Sequence, residues 1–286
     1  MASLIDIRRR IRSVKNTQQI TKAMKMVSAA KLRRAQDRVI AARPYGSMLR
    51  QMLADVAVAA ARDVDAGHNP LLAQRPEHRI LLVLVTSDKG LAGAFNSNLI
   101  KGAQRFILER SDAEVTLELV GRKGRDFFRK RRARISGDYT NLAAKPAYSD
   151  TAAIARKAME LYSNAEIDAV YMIFNEFKSV VAQKLIVSRV LPAEVPQQTE
   201  IRDFIFEQPP AQMLNQLIPR YVEMEFFRAL LESTAAEHAA RMTAMDAATS
   251  NASEMIEKLT LYMNRVRQAS ITKEIIEVVS GAAAAE

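Results

Sequence analysis

Apolar positions recur through the first 43 residues at alternating steps of three and four. Leu4, Ile7, Ile11 and Val14 open the series, and Leu32, Ala35, Val39 and Ala42 close it. No Gly or Pro occurs from Met1 to Arg43, and Ala, Met, Lys, Arg and Leu dominate. The segment therefore reads as one helix with a narrow heptad seam. Within the middle stretch, "ITKAMKMVSAAKLRRA" from Ile20, the same register lands on polar residues: Gln18, Thr21, Lys25 and Ser28. The apolar residues there, Ile20, Ala23, Met24, Val27 and Ala30, point roughly 130° away at 100° per residue. A polar seam beside an apolar stripe predicts a second contact surface on this helix.

The helix is expected to reach about Asp63, with a bend or break at the Arg43–Pro44 step, because Pro disfavours helix in the residue before it. A loop with Gly67, Pro70 and Pro76 follows. Next come alternating strand and helix patterns. "RILLVLVT" (79–86), a continuous apolar run, predicts a strand buried on both faces, and 96–111 a helix opening on an Asn cap. Residues 114–121 read as a strand, 124–133 as a basic helix and 149–163 as a helix. Residues 168–177 and 182–192 read as two strands joined by a short turn. This alternation predicts a mostly parallel sheet with a hairpin at one edge.

After Pro219 a second heptad runs from Leu231 through Thr234, His238, Arg241, Met245, Ala248, Ala252, Met255, Leu259, Tyr262, Val266, Ala269 and Lys273 to Ile276. No Gly or Pro interrupts it before Gly281. The expected fold class is α/β: a long antiparallel coiled coil of the terminal helices with an inserted Rossmann-like α/β domain. The expected divisions are 1–64, 65–219 and 220–286, a stalk on a foot whose C-terminal helix is the longer arm.

Charge sharpens this picture. Residues 1–43 hold 12 Lys/Arg against two acidic residues, net +10, whereas 220–286 hold 7 against 10, net −3. A basic helix paired with a mildly acidic one leaves charge for a third, acidic surface. The apolar content of 49% and charged content of 26% are globular values. With no Cys, disulfides and thiolate chemistry are excluded, and the three His are scattered. No apolar run is long enough to span a bilayer, and a heptad beginning by Leu4 predicts no signal or transit segment.

Candidate chemistry is thin. "TSDKGLAGAFNSN" (86–98) stands between a strand and a helix, where phosphate could bind. It matches neither GxGxxG nor GxxxxGK[ST], so a structural turn is the expected reading, with no cofactor. "GRKGRDFFRKRR" (121–132) could touch nucleic acid, but an amphipathic helix using Phe127 and Phe128 as core explains it more simply.

Four segments, "NTQQITKAMKMVSAAKLRRAQ", "TSDKGLAGAFN", "EHAARMTAMDAATSNA" and "RQASITKEIIEVVSGAAA", resemble the gamma subunit of F-type ATP synthase, bacterial type, in order along the whole chain. The last is the most specific, with Ile271, Thr272, Glu274, Glu277, Gly281 and Ala282 at the signature spacing. One departure is "GLAGAFN" in place of the usual "GLCGGFN", with Ala92 and Ala94.

The resemblance implies a non-catalytic rotor shaft that couples proton-driven turning of a membrane c-ring to the catalytic subunits. It also implies alpha, beta and epsilon subunits as partners, with no nucleic acid and no membrane insertion. The implied place is peripheral, at the cytoplasmic face of the inner membrane. Implied subunit contacts are Arg8, Arg9, Ile20, Met24, Lys25, Val27, Arg241, Arg267, Gln268 and Thr272. The small residues of "SGAAAAE" suit a slender tip in a tight sleeve. A nucleic-acid-binding coiled coil is the alternative, but it predicts a basic second helix; a Rossmann-type enzyme leaves the long helices unexplained.

Overall fold

The computed structural model describes residues 4–60, 69–144, 146–194 and 206–283. Helix α1 spans Leu4–Ala60 and helix α5 spans Pro210–Ala283. Between them lie β1 (Arg79–Val85), α2 (Phe95–Glu109), β2 (Glu114–Val120), α3 (Arg122–Arg129), β3 (Ile135–Tyr139), α4 (Tyr148–Ser163), β4 (Ala169–Phe177) and β5 (Gln183–Leu191). The chain divides into two compact units. One is Met1–Ala29 with Arg241–Glu286; the other is Ala30–Ala240. The two long helices contribute to both and pack together, with the sheet inserted between them in sequence.

In the larger unit the sheet order is β3-β2-β1-β4-β5, parallel except for the β4–β5 hairpin at one edge. The apolar run of β1 is buried from Ile80 to Val85 because helices cover both faces. Leu81, Val83, Val85, Val170, Met172 and Phe174 form one core with Ile154, Ala155 and Tyr162 of α4, Leu53 of α1, and Ile218, Val222 and Phe226 of α5. On the other face Phe106 of α2 packs at a tilt against Tyr171, 5.0 Å between ring centroids. Asp168 ties the start of β4 to β1, accepting from Arg79 N at 2.9 Å and from Arg79 Nη2 at 2.8 Å. The bound guanidinium of Arg79 holds this carboxyl below its ordinary range.

Several expectations are corrected. The helix does not break at Pro44, which lies inside α1. Burial of Val39, Leu49 and Leu53 on either side outweighs one lost backbone hydrogen bond. Likewise α5 starts at Pro210 rather than after Pro219 and runs through it, carried by the fully buried Ile218 and Val222. Pro210 at the first helical position suits a helix start, since its missing N–H has no partner there anyway. Strand β3 was not expected, for "ISGDY" contains two strand-poor residues. Asn96 is not a cap. The helix starts one residue earlier, and the Asn96 side chain bonds Ser87. The expected helix end at Asp63, the loop at Gly67 and the final Ala284–Glu286 lie outside the described residues.

Candidate functional site

In the smaller unit the α1 register continues through its polar stretch. Ile7, Thr21 and Ser28 are buried, and Leu4, Ile11, Val14, Gln18 and Lys25 are half-buried. The polar positions meet polar partners on α5. Gln18 Nε2 donates to Ser253 Oγ at 2.7 Å, and the Thr21 and Thr249 hydroxyls lie 2.8 Å apart. Lys25 Nζ bonds Asp246 Oδ1 at 2.5 Å. Rising numbers on one helix meet falling numbers on the other, so the pair is antiparallel. These α5 residues were missed from the sequence, although aligning the polar positions of both helices in antiparallel order finds them.

The α5 seam departs from the expected heptad. Met255, Tyr262 and Ile276 are exposed, while Ile256 and Met263, outside the expected register, are half-buried; Leu259 and Val266 keep their expected places, half-buried. From Arg241 the inward positions step by four to Met245 and again by four to Thr249. A helix of 3.6 residues per turn drifts about 20° per heptad, and the extra four-residue step restores contact with α1.

With the seam thus occupied, the second stripe faces outward. Ile20 is 60% exposed and Val27 56% exposed, whereas Met24 is half-buried at the stripe's edge. Arg8 and Arg9 are exposed. On α5, Arg241 is buried, and Arg267, Gln268 and Thr272 are exposed along one face, the Thr272 hydroxyl bonding Gln268 O at 2.9 Å. Every residue from 271 to 280 is exposed, including Ile271, Ile275, Ile276, Val278 and Val279. The structure thus places most of the implied contact residues on open surface, but turns Lys25 onto Asp246 and buries Arg241.

In the larger unit, the loop after β1 is satisfied from within. Thr86 Oγ1 donates to Val120 O at 3.0 Å and accepts from Gly124 N at 2.9 Å. Asp88 accepts from Arg122 N, at the start of α3, at 3.1 Å and from Asn141 N at 2.9 Å. Asp88 thus occupies two backbone donors, at the start of α3 and just after β3, that an anion could otherwise take. Phe128 is core, as expected, and Arg131 lies 3.6 Å from the centroid of the half-buried Phe127.

The family model described as ATP synthase matches residues 3–285. The chain is 74% identical over 286 residues to the ATP synthase gamma chain of Solibacter usitatus (strain Ellin6076), covering 100% of each. The chain belongs to the ATP synthase gamma chain family. A second gamma chain, from Anaeromyxobacter sp. (strain Fw109-5), is 52% identical over 99% of both chains. Among solved structures, the central stalk/c-ring of Tetrahymena thermophila mitochondrial ATP synthase matches with TM-score 0.63 and 26% identity, covering 80% of this chain and 99% of that one. A chain of the Euglena gracilis mitochondrial ATP synthase shares the fold at TM-score 0.68 and 20% identity over 98% and 94%. As a gamma chain it is a non-catalytic subunit, part of the F1 sector's central stalk. No helix among the described residues is long and apolar enough to cross a membrane.

Proposed function

We propose that this gamma chain is the turning shaft of an F1Fo ATP synthase. It carries proton-driven rotation of a membrane c-ring to the catalytic sites on a ring of alpha and beta subunits. The observation that supports this most is the uncovered apolar surface of the smaller unit: the Ile20–Val27 stripe and the five exposed aliphatic residues between 271 and 279. Isolated exposed apolar residues are ordinary, but a run of them on one element marks a surface that another chain covers. Arg8, Arg9, Arg267, Gln268 and Thr272 lie beside that surface, suited to polar and acidic groups of an encircling sleeve. Ile20, Met24 and Val27 make its apolar contacts. Lys25 and Arg241 set the local charge, the first already tied to Asp246.

In this reading residues 1–64 and 220–286 form the coiled coil, and 65–219 the foot that meets epsilon and the c-ring. The chain is peripheral, at the cytoplasmic face of the inner membrane. The test is the Ile20→Ser, Val27→Ser double variant, assembled with the remaining subunits. The isolated chain should keep its stability within about 0.5 kcal/mol, because both side chains are exposed. Proton-driven ATP synthesis should fall severalfold. Unchanged assembly and unchanged synthesis would remove the sleeve from the reading.

A further inference from the structure

The larger unit, residues 30–240, carries 30 Lys/Arg against 25 Asp/Glu, net +5. Residues 121–134 alone carry 8 against 1, net +7, so the remainder is net −2. The excess is concentrated at α3 and the turn after it. Arg129 pairs with Asp138 at 3.5 Å, and Arg134 pairs with Glu114. Lys130 and Arg132 have no ionic partner among the described residues, and all of Arg129–Arg132 and Arg134 are exposed.

The backbone of this turn supplies a second, independent observation. Arg132 N donates to Arg129 O at 3.2 Å and Ala133 N to Phe128 O at 3.4 Å, the pattern that closes a helix through a left-handed residue. That residue is Arg132, at φ +53°. Glycine is the usual occupant, because a side chain there crowds the backbone. An arginine in a glycine position costs stability and places an exposed guanidinium on the turn. Ala165 closes α4 with the same pattern at φ +56°, so what sets this turn apart is the charge that its left-handed position carries.

We propose that the turn Arg129–Arg134 docks on an anionic lipid surface. The turn offers five cations and Ala133, with no apolar centre of the kind that anchors a protein interface. It has no exposed aromatic ring to stack a base either, since Phe128 is buried and Phe127 lies under Arg131. An exposed basic turn suits a plane of lipid phosphates, to which each added cation contributes without a fixed geometry. Because headgroups exchange sideways, the attraction leaves the protein free to glide. The inference rests on this turn and not on the rotor reading.

The test uses the F1 sector assembled with the full chain, sedimented with phosphatidylcholine vesicles with and without phosphatidylglycerol, at low and high salt. Wild type should bind only the anionic vesicles and release in high salt. Arg132→Gly should weaken binding about fivefold, and Lys130→Gln with Arg132→Gly about thirtyfold. Arg132→Gly should also raise the melting temperature of the full chain, which separates lost charge from lost fold. Lys178→Gln with Lys184→Gln, at the opposite sheet edge, should leave vesicle binding unchanged. Equal binding by the double variant overturns the proposal. So does binding to polyglutamate, but not to vesicles, through the same two residues, which assigns the turn to an acidic protein.

Discussion

In the larger unit every residue of β1 after Arg79 is buried, whereas in the smaller unit ten consecutive residues of α5, 271–280, are all exposed. Both stretches are rich in branched aliphatic residues. The difference lies in what surrounds them. The strand is enclosed by α2 on one face and by α4 and α5 on the other, so its side chains are held in place by the chain itself. The helical stretch has every side chain from 271 to 280 exposed among the described residues, and its aliphatic groups stand open. Similar residues thus form a core in one region and lie open in the other, where the proposed sleeve would cover them. The larger unit should accordingly resist change at its centre, and the smaller should tolerate it at the seam.

The sharpest contrast comes from Gly121, at φ +95°, where an added Cβ would stand 2.2 Å from the Thr86 carbonyl oxygen. Gly121→Ala should cost at least about 3 kcal/mol in urea unfolding, since backbone must move to admit it. A variant with wild-type stability would show the sheet unit to be far more pliable than its packing implies.

Acid should act on the same unit next. Asp168 is held below its ordinary range by Arg79, so its stabilising contribution is full above the unfolded carboxyl value near 3.9 and is lost as pH falls through the lower folded value. Asp168→Asn should lower the melting temperature at neutral pH, and the gap from wild type should close in strong acid. A gap that stays constant with pH would mean that the contribution is steric.

The seam of the smaller unit should behave in the opposite way. Thr21→Val with Thr249→Val replaces a part-buried hydroxyl pair by aliphatic groups of similar shape, and is expected to be neutral or stabilising by up to about 1 kcal/mol. A double-mutant cycle measures the coupling. A loss as large as that of a core truncation would remove the distinction between the two regions. Smallest of all is Lys25→Ala. Its ion pair with Asp246 has side chains 41% and 61% exposed, so the change should stay below about 1 kcal/mol and shrink further in salt.

Much of this was legible in the sequence because two periodicities carry it. The step of three and four drew α1 and most of α5, and the continuous apolar runs drew β1, β2 and the β4–β5 hairpin. The outward Ile20–Val27 stripe was also readable, since a seam position and a polar residue coincided four times in succession. What stayed hidden depends on contacts distant in sequence. β3 is a strand because β2 offers it a free edge, and its own residues do not announce it. Pro44 and Pro219 read as boundaries, yet tertiary burial on either side keeps both inside helices. The α5 seam drifted from its heptad because helical pitch and sequence repeat differ slightly, an effect that accumulates only over a long helix. At Asn96 the local cap preference lost to a hydrogen bond with Ser87, a partner nine residues back.

The carboxylate of Asp88 has a consequence for the chemical life of this subunit. Any F1 sector works in a pool of nucleotides and phosphate whose concentrations swing with metabolism. A strand–loop–helix of this shape, left open, would sample that pool and let its own conformation follow the supply. Asp88, a part of the chain itself, accepts from Arg122 N at the start of α3 and from Asn141 N. Phosphate reaches these two donors only by displacing a carboxylate tethered beside them, a competition that a free ion enters at a large disadvantage.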